Sequence, residues 1–237
     1  MHHDSQESRQ ETFEYMCSRL TCLPDELASC ASVGYHGTSI ESLLEIVRTG
    51  ALPGGTIENP DSTDTQKQSL YFFPKGVTLP CPEDPRRSVT EVHEPLPLIE
   101  QARAYAHTIE SQFALLRALN LDPTNSTHRS VIDCLLYHFE PRDGDELELY
   151  KGLHKREDIE EIISAAVKRR GVVLALEPRL QTDFDFHPGD PGENDAYILV
   201  PPHGLEASYI SGLWFPVPAE QEEFFTRSHD QFGLNRK

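Results

Sequence analysis

The chain has 237 residues, 38% hydrophobic and 25% charged, the composition of a globular protein with enough apolar material for a core. Its 39 acidic residues outnumber 21 basic ones for a formal charge of −18, which repels polyanions and disfavours a nucleic-acid scaffold held through phosphates. The longest apolar runs, Val172–Leu176 and Ala196–Val200, are strand-sized and far short of the roughly 20 residues of a membrane-spanning helix.

Residues 1–27 read as an N-terminal extension: a polar start without the basic-then-apolar order of a secretory signal, followed by a short helix within Phe13–Leu27. The expected location is cytoplasmic, with no membrane partner. Val33 to Thr38 reads as a strand that delivers His36 to its end. Thr38 and Glu41 have capping-box spacing, Ile40, Leu43, Leu44 and Val47 repeat at helical intervals, and Gly50 stops the pattern. Residues 51–67 read as a loop, Ser69–Phe73 as a short aromatic strand broken by Pro74, and 75–97 as a proline-rich loop.

Leu98, Ala102, Tyr105, Ile109, Phe113 and Leu116 predict a long helix over most of 97–119, with Tyr105 on its apolar side. Val131–Phe139 fits either helix or strand, and Glu146–Tyr150 a brief extended piece. Ile159, Ile162, Ile163, Ala166 and Val167 mark a helical face, with Gly171 as its C-cap before a strand over Val172–Leu176. A polar loop over Arg179–Asn194 leads into a strand at Asp195–Val200 and an apolar stretch at Ile210–Phe215, and the charged tail after Pro218 reads as loose.

No internal repeat is visible, and the mixture of elements favours an α+β domain over 28–218, between the extension and a tail at 219–237. The long loops at 51–67, 75–97 and 178–194 are where binding segments are expected. Lys151, His154, Lys155, Arg156, Lys168, Arg169 and Arg170 form a basic group expected on the solvent face of a helix. The five cysteines include no C-x-x-C pair and the eleven histidines no H-E-x-x-H spacing, so neither a disulfide framework nor a metal site is expected.

The string Tyr35-His36-Gly37-Thr38-Ser39, followed by Leu43, Leu44, Ile46, Val47 and Gly50-Ala51-Leu52-Pro53, resembles the first motif of the ADP-ribosyltransferase superfamily, in its diphtheria-toxin and poly(ADP-ribose) polymerase branch. Ser69-Leu70-Tyr71-Phe72-Phe73 is similar to that branch's second motif, and Ala102-Arg103-Ala104-Tyr105-Ala106 to its tyrosine-bearing helix. Asp195-Ala196-Tyr197-Ile198-Leu199-Val200, with Tyr209–Leu213 downstream, is similar to the third. The likeness runs in the expected order across residues 33–215.

The resemblance implies an ADP-ribosyltransferase-like split β-sandwich, two small antiparallel sheets with flanking helices. It further implies NAD as substrate, cleavage of the nicotinamide–ribose bond and transfer of ADP-ribose to a macromolecule, protein or nucleic acid. A bacterial toxin or defence effector would fit, with an antitoxin or regulatory protein as partner. His36, Gly37, Thr38, Tyr71, Phe72 and Tyr105 would then line the NAD cleft: His36 bonding the adenosine-side ribose, Gly37 leaving room for the nicotinamide amide, Tyr71 and Tyr105 stacking on the nicotinamide ring. His36, Tyr71 and a carboxylate would carry the chemistry. The family's glutamate falls near Ala196 or Tyr197, neither of which is acidic; the nearest carboxylates are Asp195 and Glu193, with Glu206 further on, and Asp195 is the first choice. Two alternatives remain open: an RNA 2′-phosphotransferase-like NAD enzyme, which would need a set of arginines, and a non-catalytic domain of the same fold that binds a partner.

Overall fold

A computed structural model describes residues 6–54, 68–81, 84–122, 128, 132, 156–189 and 195–235. In chain order they form helix α1 (Gln6–Ser18), strand β1 (Leu20–Thr21), α2 (Pro24–Ser29), β2 (Gly34–Thr38), α3 (Ile40–Thr49), β3 (Ala51–Leu52), β4 (Gln68–Pro74), β5 (Gly76–Cys81), β6 (Asp84–Val92) and α4 (Pro95–Ala118). These are followed by α5 (Arg156–Ala166), β7 (Val172–Leu176), α6 (Leu180–Asp183), β8 (Phe186–Pro188), β9 (Ala196–Val200), β10 (Leu205–Glu206), β11 (Ile210–Trp214) and α7 (Pro218–Phe232).

The mixed content is that of an α+β protein. Seven strands form a sheet in the order β1-β11-β7-β2-β4-β9-β8, antiparallel except at the β1–β11 edge, while β3–β10 and β5–β6 are separate antiparallel pairs. Where two separate sheets are expected from the sequence, two ladders share one corner. β2 pairs with β7 along all five of its residues and β4 pairs with β9 over Gln68–Phe72, but β2 and β4 are matched only at Gly34–Pro74 and Tyr35–Phe73.

Periodicity explains which strands lie deep. β7, Val-Val-Leu-Ala-Leu, is buried at every position, whereas β9 alternates buried and half-buried residues and so has one core face. On one side of the sheet Leu70, Phe72, Leu174, Leu176 and Ile198 pack with Phe13 and Met16 of α1, Leu43 and Val47 of α3 and Phe224 of α7. On the other, Tyr35, Val173, Ala175 and Trp214 pack with Leu27 of α2 and with Leu98, Ile99 and Ala102 of α4.

Several elements differ from the sequence expectation. α3 is capped by Ser39, whose Oγ accepts the Ser42 N–H at 3.2 Å, rather than by Thr38; Gly50 closes it at φ 79° as expected. Residues 75–97 hold the β5–β6 hairpin, with Pro80 at a register shift, where a missing N–H does least harm to the ladder. Tyr105 is 44% exposed, off the apolar side of α4. α6 and β8 interrupt the stretch read as a loop after Arg179. Residues 219–235, read as a loose tail, include most of α7, which starts at Pro218 and closes at Gly233 with φ 69°. Of Val131–Phe139 only Ile132 is described; Glu146–Tyr150 and Lys151, His154 and Lys155 lie outside the described residues.

The polarity of α7 and the Arg169–Arg170 pair share one explanation, an ion network that joins α3, α4, the turn before β7 and α7. Glu110 of α4 is fully buried; its carboxylate accepts the Ile40 N–H at 2.7 Å, pairs with Arg117 at 2.8 Å and lies 3.5 Å from Arg169. Arg169 also pairs with Glu223 at 2.6 Å and Glu220 at 3.3 Å, Glu220 accepts the Arg170 N–H at 2.9 Å, and Glu41 holds both Arg117 and Arg227. Burial opposes ionisation of Glu41, but Arg227 and Arg117 outweigh it and hold its pKa below the ordinary value. At Glu220 burial prevails over the Arg170 N–H and Arg169, and its pKa is raised. Arg169 and Arg170 therefore serve the interior rather than a solvent face.

Removing one partner from a buried ion cluster strands the others. Glu110→Ala is expected to lower the unfolding free energy in urea by about 3 kcal/mol. Glu45→Ala, which breaks the exposed Glu45–Arg48 pair, should cost less than about 1 kcal/mol. Equal losses in the two variants would contradict the assignment of Glu110 as the centre of the network.

Candidate active site

The corner where β2 and β4 part is shaped by glycines on either side of His36. A Cβ on Gly34 would sit 2.8 Å from the Phe72 ring and also meet the Phe73 carbonyl, so its absence lets β4 cross close to β2. A Cβ on Gly37 would sit 2.7 Å from the Ala106 nitrogen and closer still to the Ala102 carbonyl. The space left by Gly37 is thus filled by the backbone of α4, a different reason for this glycine from the room for a nicotinamide amide expected from the sequence.

Because the Cβ direction at Gly37 faces α4, His36 points to the opposite side of β2, where Thr38 also lies. Its ring is 7% exposed, and Nδ1 lies 2.6 Å from the Tyr71 carbonyl oxygen. A carbonyl only accepts, so Nδ1 carries the proton and Nε2 keeps its lone pair. This bond replaces a ladder contact: beyond Tyr35 and Phe73 no backbone pairing joins β2 to β4, and the imidazole spans the opening. Burial lowers the His36 pKa to about 4, offset only in part by the Tyr71 carbonyl, so the ring is neutral at pH 7.

Tyr71 faces away from the core that holds its neighbours Leu70 and Phe72, and is 39% exposed. Its ring centroid lies 5.3 Å from that of Tyr197, its partner on β9, and Tyr197 in turn stacks on His187 of β8 at 4.9 Å. Asp195 extends the same face by one rung. Gly189 N–H donates to the Asp195 carbonyl at 3.0 Å, continuing the β8–β9 register, and the Asp195 carboxyl lies over Gly189 where a Cβ would otherwise be.

The other expected residues are placed differently. Phe72 is sealed in the core, edge-on to Phe186 at 5.1 Å, so the expected contact with a cofactor is not open to it. Thr38 is buried beside Val172. Ala196, one of the two positions where the family glutamate would fall, pairs with Phe72, is fully buried and faces the core; Tyr197, the other, faces outward. Glu193 lies outside the described residues. Glu206 is exposed on β10, in the separate pair with β3. The structure thus joins His36 to the Tyr71 backbone, directs the two side chains to opposite faces of the sheet and sets Asp195 on the Tyr71 face, while Phe72 and Thr38 serve packing.

The sequence reading missed three residues around this corner. Tyr197 and His187 were legible only through strand register, since 126 and 116 positions separate them from Tyr71 in sequence. Glu110 was legible in principle, because Ala102, Ala106 and Glu110 recur every fourth residue on the face of α4 that meets β2. Its carboxylate also occupies the N-terminus of α3, so the anion site a helix start would offer next to His36 is already filled. Among the described residues no three His, Cys, Asp or Glu side chains stand close enough to hold a metal ion. A cavity of about 950 Å³ opens elsewhere, between α1, the end of α3 and residues 202–208, lined among others by Tyr15, Arg48 and His203. Compared with protein families, curated proteins and solved structures, the chain shows no match.

The His36 pKa fixes a pH dependence. The unfolded imidazole binds a proton below its ordinary pKa of 6.5, whereas the folded one resists until about 4; stability is therefore complete above about 6.5 and falls with acidification toward about 4. Across that window the parent should lose on the order of 3 kcal/mol more than His36→Gln, measured by urea unfolding at pH 7.5 and 4.5. Parallel losses would show that the imidazole is not held neutral by burial.

Proposed function

We propose that the chain is an NAD-dependent ADP-ribosyltransferase whose NAD passes through the opening where β2 and β4 part, between the His36 face of the sheet and the Tyr71 face beside α4. The observation that carries this reading is the His36–Tyr71 bond across the parting strands. It unites the two motifs on which the family resemblance rests, and it leaves Nε2 as an acceptor suited to a ribose hydroxyl.

In this reading, Nε2 of neutral His36 accepts a hydrogen bond from the adenosine-side ribose, and the exposed face of Tyr71 stacks on the nicotinamide, with Tyr105 on the flank of α4 closing the other side. Breaking the nicotinamide–ribose bond leaves its electron pair on the departing nicotinamide and positive charge on the sugar. A carboxylate beside the ribose stabilises that charge until an acceptor nucleophile attacks the anomeric carbon. Asp195, on the Tyr71 face, is the first choice for this carboxylate, and Glu193 is the second. The acceptor is a macromolecule, protein or nucleic acid, and a toxin or defence effector controlled by a protein partner fits such an activity. An RNA 2′-phosphotransferase-like reaction is less well supported, because Arg117, Arg169 and Arg227 are already tied to carboxylates.

A second reading is favoured by one specific observation. Neither position where the third motif would carry its acid is acidic, Ala196 being buried and Tyr197 facing outward, and a domain of this fold without the acid would bind a partner protein and not cleave NAD.

Incubation of the protein with labelled NAD and cell extract distinguishes the two. The transferase reading expects nicotinamide release and label on a macromolecule, with kcat about 100-fold lower in Asp195→Ala if this carboxylate faces the ribose. A parental rate in Asp195→Ala and a large loss in Glu193→Ala would move the acid to Glu193. A parent protein that neither binds NAD by calorimetry nor releases nicotinamide would remove the transferase reading and leave the second.

A further inference from the structure

The ring row on the outer face of β4, β9 and β8 is the feature that the proposed reaction does not yet use. Tyr71, Tyr197 and His187 occupy one rung of three adjacent strands, Tyr71 opposite Tyr197 and Tyr197 opposite His187. The Tyr71 and Tyr197 centroids are 5.3 Å apart with a tilt of 40°, and Tyr197 and His187 are 4.9 Å apart and nearly parallel at 21°. Both separations lie within the range in which aromatic pairs attract beyond simple burial.

We propose that Tyr197, backed by His187, is a positioning residue that holds the Tyr71 ring upright as a stacking face for the nicotinamide of NAD. The inference rests on the transferase reading above. The Tyr71 backbone is held by the β9 ladder on one edge and by His36 on the other, and its ring packs against Tyr197. A partly exposed tyrosine ring without that neighbour samples more rotamers and gives them up when a ligand stacks on it. Ordering the ring beforehand removes that cost from binding. Tyr197 itself does not touch substrate, because its ring lies behind Tyr71 in the row.

The location of the effect follows from the role. Stacking on nicotinamide helps the bound substrate and the transition state alike, so loss of ring order should weaken binding and leave turnover nearly intact. In the complete chain, Tyr197→Leu is expected to raise both KM and the calorimetric Kd for NAD by roughly three- to tenfold, the loss of one aromatic pair. The same variant should keep kcat within about twofold, and Tyr197→Phe, which preserves the ring, should restore parental values. The Tyr71 ring resonances in aromatic 1H–13C spectra of the ligand-free protein should shift in Tyr197→Leu and not in Tyr197→Phe.

A folded Tyr197→Leu with parental KM and Kd overturns the inference while sparing the transferase reading. If Tyr197→Leu does not fold, His187→Leu, at the outer end of the row, takes its place; an increase in KM of about twofold supports the positioning role, and an unchanged KM overturns it. A parent protein that binds no NAD at all is a different result, and it removes the functional reading together with this one.

Discussion

The arrangement depends on how closely α4 lies on the end of β2. Gly37 and Gly171 make this possible, since a Cβ on either would collide with the backbone of α4 at Ala102 or Ala106, and Gly171, at φ 67°, also packs against the Thr38 carbonyl. With the helix seated directly on the strand, the residue one turn beyond Ala106 reaches the start of α3. That residue is Glu110, and its carboxylate both caps the Ile40 N–H and draws in Arg117 and Arg169. A side chain at position 37 would push α4 away, and the charged interior behind it would lose its geometry.

Two consequences follow for the corner that holds His36. First, the network fixes α3 and α7 against α4 from the side of the core, so β2 is held firmly by its neighbours on β7 and by the helices above and below. Second, β4 is free of that knot and belongs instead to the ladder with β9 and β8. The sheet is therefore anchored on one side and joined to the other ladder through only two residue pairs, with the imidazole of His36 bridging where the backbone does not. The corner thus sets a polar contact of fixed orientation next to the partly exposed ring of Tyr71.

Much of this was legible in the sequence, and the exceptions have physical causes. The helix after His36 was legible because apolar spacing and Gly50 agree, and β7 and β9 because their runs are apolar and short. The cap moved from Thr38 to Ser39 because Thr38 is still paired with Val172 as part of β2. α7 was hidden because Glu220, Glu223 and Arg227 look like a solvated tail until their partners on α3, α4 and the turn before β7 are known; a linear reading prices each charge as exposed. The hairpin at 76–92 was hidden by its prolines. His36 and Tyr71 were legible as a pair only through the family resemblance, while the outward direction of Tyr71 and the inward direction of Ala196 depend on register, which no local pattern supplies.

The central claim is that a neutral imidazole at the parting of the two ladders presents Nε2 to NAD. Long-range 1H–15N NMR of the histidine side chains tests it most directly. The account predicts that His36 carries its proton on Nδ1 at pH 7, and that its Nε2 resonance moves on saturation with NAD. A proton on Nε2 in the free protein, or an Nε2 signal indifferent to NAD, would contradict it.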